Sequence, residues 1–463
     1  MFPLGSLRGG RRSAAHPEYA RRGRLSWRCG FYQRVLAASV LLLLLAAVPL
    51  TAQPLYPVAD PPVQANSDAL PGGPVPREAL TGTWNGLRPR LDAGGIRFEA
   101  AYTGEFFHGL AGGARRGTVH LHDVDLTLDL NLDVLAGWRG ARVFLYGLGV
   151  FGGSPSDLAG DVQALSNIDA PDGWRLYEAY VEQTLLSGRL SVLAGLYDLN
   201  SEFYASEPAA LFLNGAHGMG PELGLSGRNG PSIFPYTTAA LRTRFEPAAG
   251  IYLQAAVLDG VPCGPEQRRL VPVQLSAGDG ALTIAEAGYR PATDGDGASP
   301  DRTFAAGVWS YSARAGVLED EGTIPAQQRS FGVYGFAQQL LHGPADGPRL
   351  ELYARAGYAR ACVNPVTFAW GAGLVLTGLS PRRDADQIGL GVSAAHFGRP
   401  HLTAQRRQGD PVPAAEVAVE LTYRLALGRW LSLQPDVQYV IDPAGVSGVS
   451  RALVFGQRMV LLF

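Results

Sequence analysis

The chain has 463 residues, with 39 basic and 41 acidic side chains, and every basic one is Arg. Without Lys there is no Walker A motif and no Schiff-base or Ser-Lys chemistry, and the formal charge of -9 left once residues 1–52 are set aside, 31 basic against 40 acidic, disfavours nucleic-acid partners. A mean hydropathy of +0.03 is far below that of helical membrane proteins, and 59 Gly with 33 Pro indicate many turns.

Residues 1–34 carry eight Arg, from Arg8 to Arg34. An apolar run follows from Val35 to Leu50, then the small pair Thr51-Ala52. This order is that of a secretory signal with cleavage near Ala52. Sixteen apolar residues are short for a spanning anchor, the alternative reading. The long charged stretch leaves a start codon downstream of Met1 open. Residues 53–78 are rich in Pro, Ala and Gly and read as a disordered leader. Residues 79–95 read as a short helix with flanking turns, at the periplasmic mouth or in the lumen.

From residue 96 to 463 the chain reads as strands and turns. Val124, Leu126, Leu128, Leu130, Leu132 and Val134 point one way; Asp125, Thr127, Asp129, Asn131 and Asp133 point the other. Such alternation is a period-two signal, and its eleven residues match a tilted bilayer-crossing strand. Aspartates suit a water-filled lumen better than a soluble core. Turn punctuation gives sixteen candidate strands: 96–108, 119–135, 141–151, 174–186, 189–198, 236–245, 250–259, 279–290, 303–316, 330–341, 349–360, 368–379, 386–398, 414–427, 430–442 and 452–463. Short links such as Ser187-Gly188 and Gly428-Arg429 alternate with long ones at 152–173, 199–235 and 260–278. The last strand alternates too, with Leu453, Phe455, Gln457, Met459, Leu461 and Phe463 on one face and Arg458 on the other. A terminal aromatic strand is what closes an outer-membrane barrel. The expected fold is all-β: a 16-stranded antiparallel transmembrane β-barrel with a short N-terminal helical segment and a long inward-folding loop.

The segment Leu80-Thr81-Gly82-Thr83-Trp84-Asn85-Gly86-Leu87-Arg88-Pro89-Arg90-Leu91 resembles the opening segment of the OprB family of carbohydrate-selective outer-membrane porins, with Asn85 replacing the usual first Gly. Further similarity lies in Trp174-Arg175-Leu176-Tyr177-Glu178, in the run from Gly195 to Phe203, around Asn364-Pro365 and Gly371-Ala372-Gly373-Leu374, and in the run from Leu433 to Tyr439. The resemblance covers about residues 79–463. It implies a 16-stranded porin in the bacterial outer membrane passing small sugars, glucose-type monosaccharides above all.

A porin makes no bonds, so no catalytic residue, cofactor or metal is expected. Loop 199–235 is the candidate constriction, with Asn200, Glu202, Phe203, Asn214 and Arg228 as sugar contacts, and Tyr204 and Phe212 as further stacking surfaces. If the segment 79–95 folds into the periplasmic mouth or lumen, Arg88 and Arg90 oppose Glu105 and Glu178, and Trp174 is a further candidate at the constriction. Loop packing and salt bridging are the plain alternatives for each. Cys263 and Cys362 fall in outer loops and form a candidate disulfide, two buried thiols being the alternative. His120 and His122 share the parity of lipid-facing Val124, which argues against a metal site. Small sugars, outer-membrane lipid and lipopolysaccharide are the expected partners; monomer and homo-oligomer both stay open. A barrel hydrolase with a dispersed Ser/His pair, or a general porin or structural envelope barrel, are the competing readings.

Overall fold

The computed structural model describes residues 79–264, 270–271, 276, 278–291, 302–318, 326–344 and 347–463. The signal and leader expected over 1–78 lie outside them. Sixteen strands follow in chain order: β1 Ile96–Gly112, β2 Thr118–Asn131, β3 Ala141–Gly152, β4 Gly173–Leu185, β5 Leu190–Tyr197, β6 Thr238–Ala248, β7 Ile251–Asp259 and β8 Ala281–Tyr289, then β9 Arg302–Gly316, β10 Gln327–His342, β11 Arg349–Ala359, β12 Val366–Thr377, β13 Gln387–Phe397, β14 Ala415–Ala426, β15 Leu431–Ile441 and β16 Arg451–Leu462. Each pairs antiparallel with its chain neighbours, and β16 pairs with β1 to close the barrel. Closure leaves no sheet edge, which is the condition for strands to cross lipid.

At the seam the last residues complete the β16–β1 ladder. Leu462 sits opposite Ala101, and the Phe463 N–H donates to the Ala100 carbonyl at 2.8 Å. The short helix Leu87–Ala93 stands at the same end. Leu80 N–H donates to the Leu462 carbonyl at 2.8 Å, and the Arg88 guanidinium donates to the Phe463 carbonyl oxygen at 2.5 Å while lying over the Trp84 ring. The N-terminal segment thus staples the last strand.

Period two sorts side chains across the wall. In β2, Asp123 and Asp125 are each 1% exposed inside the barrel, whereas outward Leu126 is 37% exposed. The sequence pattern runs on to Val134, but the strand does not. It stops at Asn131, whose side chain accepts from Asp133 and Val134 N–H and caps the helix Leu132–Ala136. Gly137, at φ 69°, ends that helix in the left-handed region glycine tolerates. A longer helix, Arg399–Gln408, lies in the link between β13 and β14. The link ends that carry the short turns and both described termini are the periplasmic side; the long loops mark the outer side.

Candidate permeation site

The segment 198–237, here L3, turns into the bore. Side-chain caps make its local structure: Asp198 accepts from Asn200 N–H at 2.8 Å and Asn214 from Ala216 N–H at 3.0 Å. These caps start the short helical turns Leu199–Ser201 and Gly215–His217. The barrel wall then takes up its backbone. Glu420 on β14 accepts Leu213 and Asn214 N–H at 2.6 and 3.0 Å. Gln434 and Gln438 on β15 bond Leu211 carbonyl and the Asn214 amide, at 2.7 and 3.0 Å. From other strands, Glu286 accepts Tyr204 N–H at 2.9 Å, Gln254 donates to Glu202 carbonyl at 3.0 Å, and Gln338 accepts Glu207 N–H at 3.2 Å. L3 is therefore tied to β7, β8 and β10 and also to β14 and β15, and it crosses the interior between them. Glycines on β12 and β13 allow the close approach: a Cβ at Gly391 would meet the Phe212 ring at 2.8 Å and His217 at 3.0 Å.

A chain of opposite charges runs along the inner wall to this loop. Asp129 lies 3.3 Å from Arg142, and Arg142 lies 3.2 Å from Glu182. Arg242, 2% exposed, is 2.9 Å from Glu182 and 2.7 Å from Glu202 on L3. Tyr197 donates its hydroxyl to Glu202 at 2.5 Å. Alternating signs keep the wall near neutral while presenting donors and acceptors. A second pair, Arg458 and Glu105 at 2.5 Å, holds the loop before β4 through Ser166 and Asn167.

On the β11 side, Arg355 donates to the Gly218 carbonyl at 2.9 Å. Its Nε and Nη2 have no hydrogen-bond partner among the described residues. Its guanidinium lies 5.4 Å from the Tyr204 ring, which stacks on Tyr334 at 4.1 Å. Beside it, burial raises the Glu222 carboxyl to about 7. Burial lowers His217 to about 3, with Arg355 adding to the shift, so this imidazole is neutral and its 3.8 Å approach to Glu420 is no ion pair at neutral pH.

The residues singled out from sequence divide between this site and other places. Glu202 is in the charge chain, and Glu178, 3% exposed, accepts Asp198 N–H at 3.0 Å where L3 begins. Asn200 and Asn214 pack within L3, and Phe203 and Phe212 are buried in apolar clusters. Glu105 pairs with Arg458 rather than with Arg88 or Arg90. Arg88 binds the chain end, Arg90 is exposed nearby, and Arg228 pairs with Asp279 at 3.2 Å with its side chain 65% exposed. Trp174 is corrected outright: it is 48% exposed on the outer face, edge-on to Phe151. The pairing of β3 with β4 shifts register between Tyr146 and Gly147, which leaves Tyr177 as an extra residue. Trp174 and Glu178 therefore face opposite sides although they are four apart.

The candidate disulfide is also corrected, since no bond joins Cys263 and Cys362. The two sit in different surroundings: Pro262 next to Cys263 accepts from Asn229 of L3, while the Cys362 carbonyl accepts from Leu318 N–H. Sequence reasoning missed Arg142, Glu182, Arg242 and Arg355. Their signal was inward parity, on β3, β4 and β6 for the first three and on β11 for Arg355, legible only once register is known.

A closed sixteen-stranded barrel crossed by its own loop and lined by paired charges is an outer-membrane porin. The profile described as carbohydrate-selective porin, OprB family, matches residues 115–463, and the chain belongs to that family. Porin B of Pseudomonas aeruginosa is 25% identical over 419 residues, 83% of this chain and 91% of that protein. The high-pH structure of Pseudomonas putida OprB has a TM-score of 0.74 at 22% identity, covering 84% of this chain and 99% of that one. Its low-pH structure gives 0.54 at 19% identity, covering 84% and 100%. The family match begins past the segment Leu80–Leu91 that first suggested the resemblance.

Proposed function

We infer that this outer-membrane channel passes small neutral sugars of the glucose type by passive diffusion, selecting them where L3 meets the inner wall. The observation that carries this reading is the link from Arg242 to Glu202, which joins a loop crossing the bore to a wall of alternating charge. Guanidinium and carboxylate groups in one groove pair with vicinal hydroxyls on a sugar and hold no large net charge for ions. Glu182 and Glu202 supply acceptors there and Arg142 supplies donors, while the buried Glu178, Arg242 and Arg355 hold these groups and L3 in place. Asn200, Asn214 and Phe203 support the loop, while Arg88, Arg90 and Arg228 act on the rims.

Liposome swelling with a size series of sugars is the test. Monosaccharides should enter fastest, and Arg242→Ala or Arg355→Ala should narrow the difference between sugars and uncharged polyols of equal size. Identical rates for all solutes of one size, in the parent protein, would mean a general porin.

A further inference from the structure

A cluster of arginines on the lipid-facing side of the barrel plays no part in the channel. Side chains at Val308, Ser310, Ser312 and Arg314 on β9 share the outward parity, as do Arg329, Phe331 and Val333 on β10 and Ala354, Ala356 and Tyr358 on β11. Register sets Arg314 directly opposite Arg329. Just past β11, Arg360 N–H donates to the Phe331 carbonyl at 3.0 Å, and the Arg360 guanidinium lies 5.5 Å from the Phe331 ring. All three arginines are at the outer ends of their strands. Facing like charges across a strand pair is destabilising unless an anion comes between them.

Immediately inward, the outward face turns aromatic. Val333, Tyr358, Phe368 and His396 form one lateral row through the pairing of β10 to β13, and Trp370 donates to His396 at 3.3 Å. Aromatic side chains gather where a membrane changes from acyl chain to headgroup. The arginines stand outside that row, Arg360 one outward position beyond Tyr358 and Arg329 two beyond Val333, toward the depth of the headgroups. Among the described residues, none of Arg314, Arg329 and Arg360 forms a salt bridge. Glu319, Asp320 and Glu321 of the adjoining loop lie outside the described residues.

We propose that Arg314, Arg329 and Arg360 form a binding site for the phosphate groups of an anionic outer-leaflet glycolipid of the lipid A type. Guanidinium forks match phosphate oxygens in pairs, and Phe331 with the aromatic row receives the sugar and upper acyl region. The bound phosphates offset the repulsion between Arg314 and Arg329 and fix the barrel's depth in the membrane. The site depends on the outer-membrane placement of the barrel and not on which solute it passes.

The test uses purified protein in neutral detergent, with lipid A carrying both phosphates, enzymatically dephosphorylated lipid A, and inorganic phosphate. Native mass spectrometry measures lipid retention and thermal unfolding measures stability. The parent should retain phosphorylated lipid A, and the triple variant Arg314→Gln, Arg329→Gln, Arg360→Gln should retain it about tenfold less well. The single variant Arg329→Gln gives an independent sign: it should unfold at a higher temperature than the parent in lipid-free detergent and at a lower one with lipid A. Sugar flux should be the same in every variant, which separates this proposal from the channel reading. Equal retention of both glycolipids, equal retention by parent and triple variant, or equal stabilisation by inorganic phosphate would each overturn it.

Discussion

Arg242 joins L3 to the wall through two carboxylates, Glu182 and Glu202, and through Ser191 at 2.5 Å. Removing it leaves the largely buried Glu202 with no partner of opposite charge, while Glu182 keeps only Arg142. Breaking such a pair costs about 3 kcal/mol. Arg242→Ala is expected to fold and to shift ion selectivity toward cations, read as a change in reversal potential under a salt gradient. Arg242→Lys should restore selectivity only in part, because an ammonium does not reproduce the two-pronged contact. An unchanged reversal potential in the alanine variant would place the pair outside the ion path. Glu222 titrates differently. Its folded-state pKa of about 7 exceeds the ordinary 4.5, so the folded loop favours the neutral acid. Its stabilising contribution is complete below about pH 4.5, falls as pH rises toward 7, and is gone above that. Channel current should therefore show a transition near neutral pH that Glu222→Gln removes; a transition that persists in the variant assigns it to another group.

At the scale of elements, L3 is held by hydrogen bonds to its backbone rather than by its own regular structure. Glu420→Ala strips acceptors from Leu213 and Asn214 N–H, each a buried donor left unsatisfied at about 1–3 kcal/mol. Single-channel recordings should then show larger, noisier current and weaker sugar block, and a quiet channel of parent conductance would mean the other anchors suffice. Asn131→Ala should fray the periplasmic helix Leu132–Ala136 by about 1 kcal/mol without altering conductance, seen as faster hydrogen exchange there. These elements also show what was legible in sequence. Strand positions were, because period two is a local pattern: β2, β3 and β16 all lie where alternation put them. The end of β2 was not, because Leu132 and Val134 prolong the alternation while the Asn131 cap and Gly137 break it. The face of Trp174 was not, because one extra residue in β4 inverts parity and leaves no composition signal. The inward course of L3 could be expected from its length and polarity, but its anchors could not. Leu213 and Glu420 are 207 residues apart and meet only through barrel closure.

For the whole molecule, closure sets both stability and use. Every strand has two neighbours, apolar residues such as Leu126, Val308 and Leu390 face outward, and buried carboxylates such as Asp125, Glu286 and Glu420 face inward. The same alternation that solvates the barrel in lipid supplies the polar bore. The chain ends are part of this closure through Arg88 and Phe463. Arg88→Ala should lower the yield of heat-resistant folded barrel in a gel-shift assay while leaving sugar uptake by the folded fraction unchanged. Reduced uptake per folded channel would instead put Arg88 in the permeation path. The central claim is that the bore admits and holds small sugars, and planar-bilayer recording of the purified protein tests it most directly. Stepwise addition of glucose should reduce the ion current along a saturating curve, with half-block moving to higher sugar concentration in Arg242→Ala. Stable channels whose current no mono- or disaccharide reduces would contradict it.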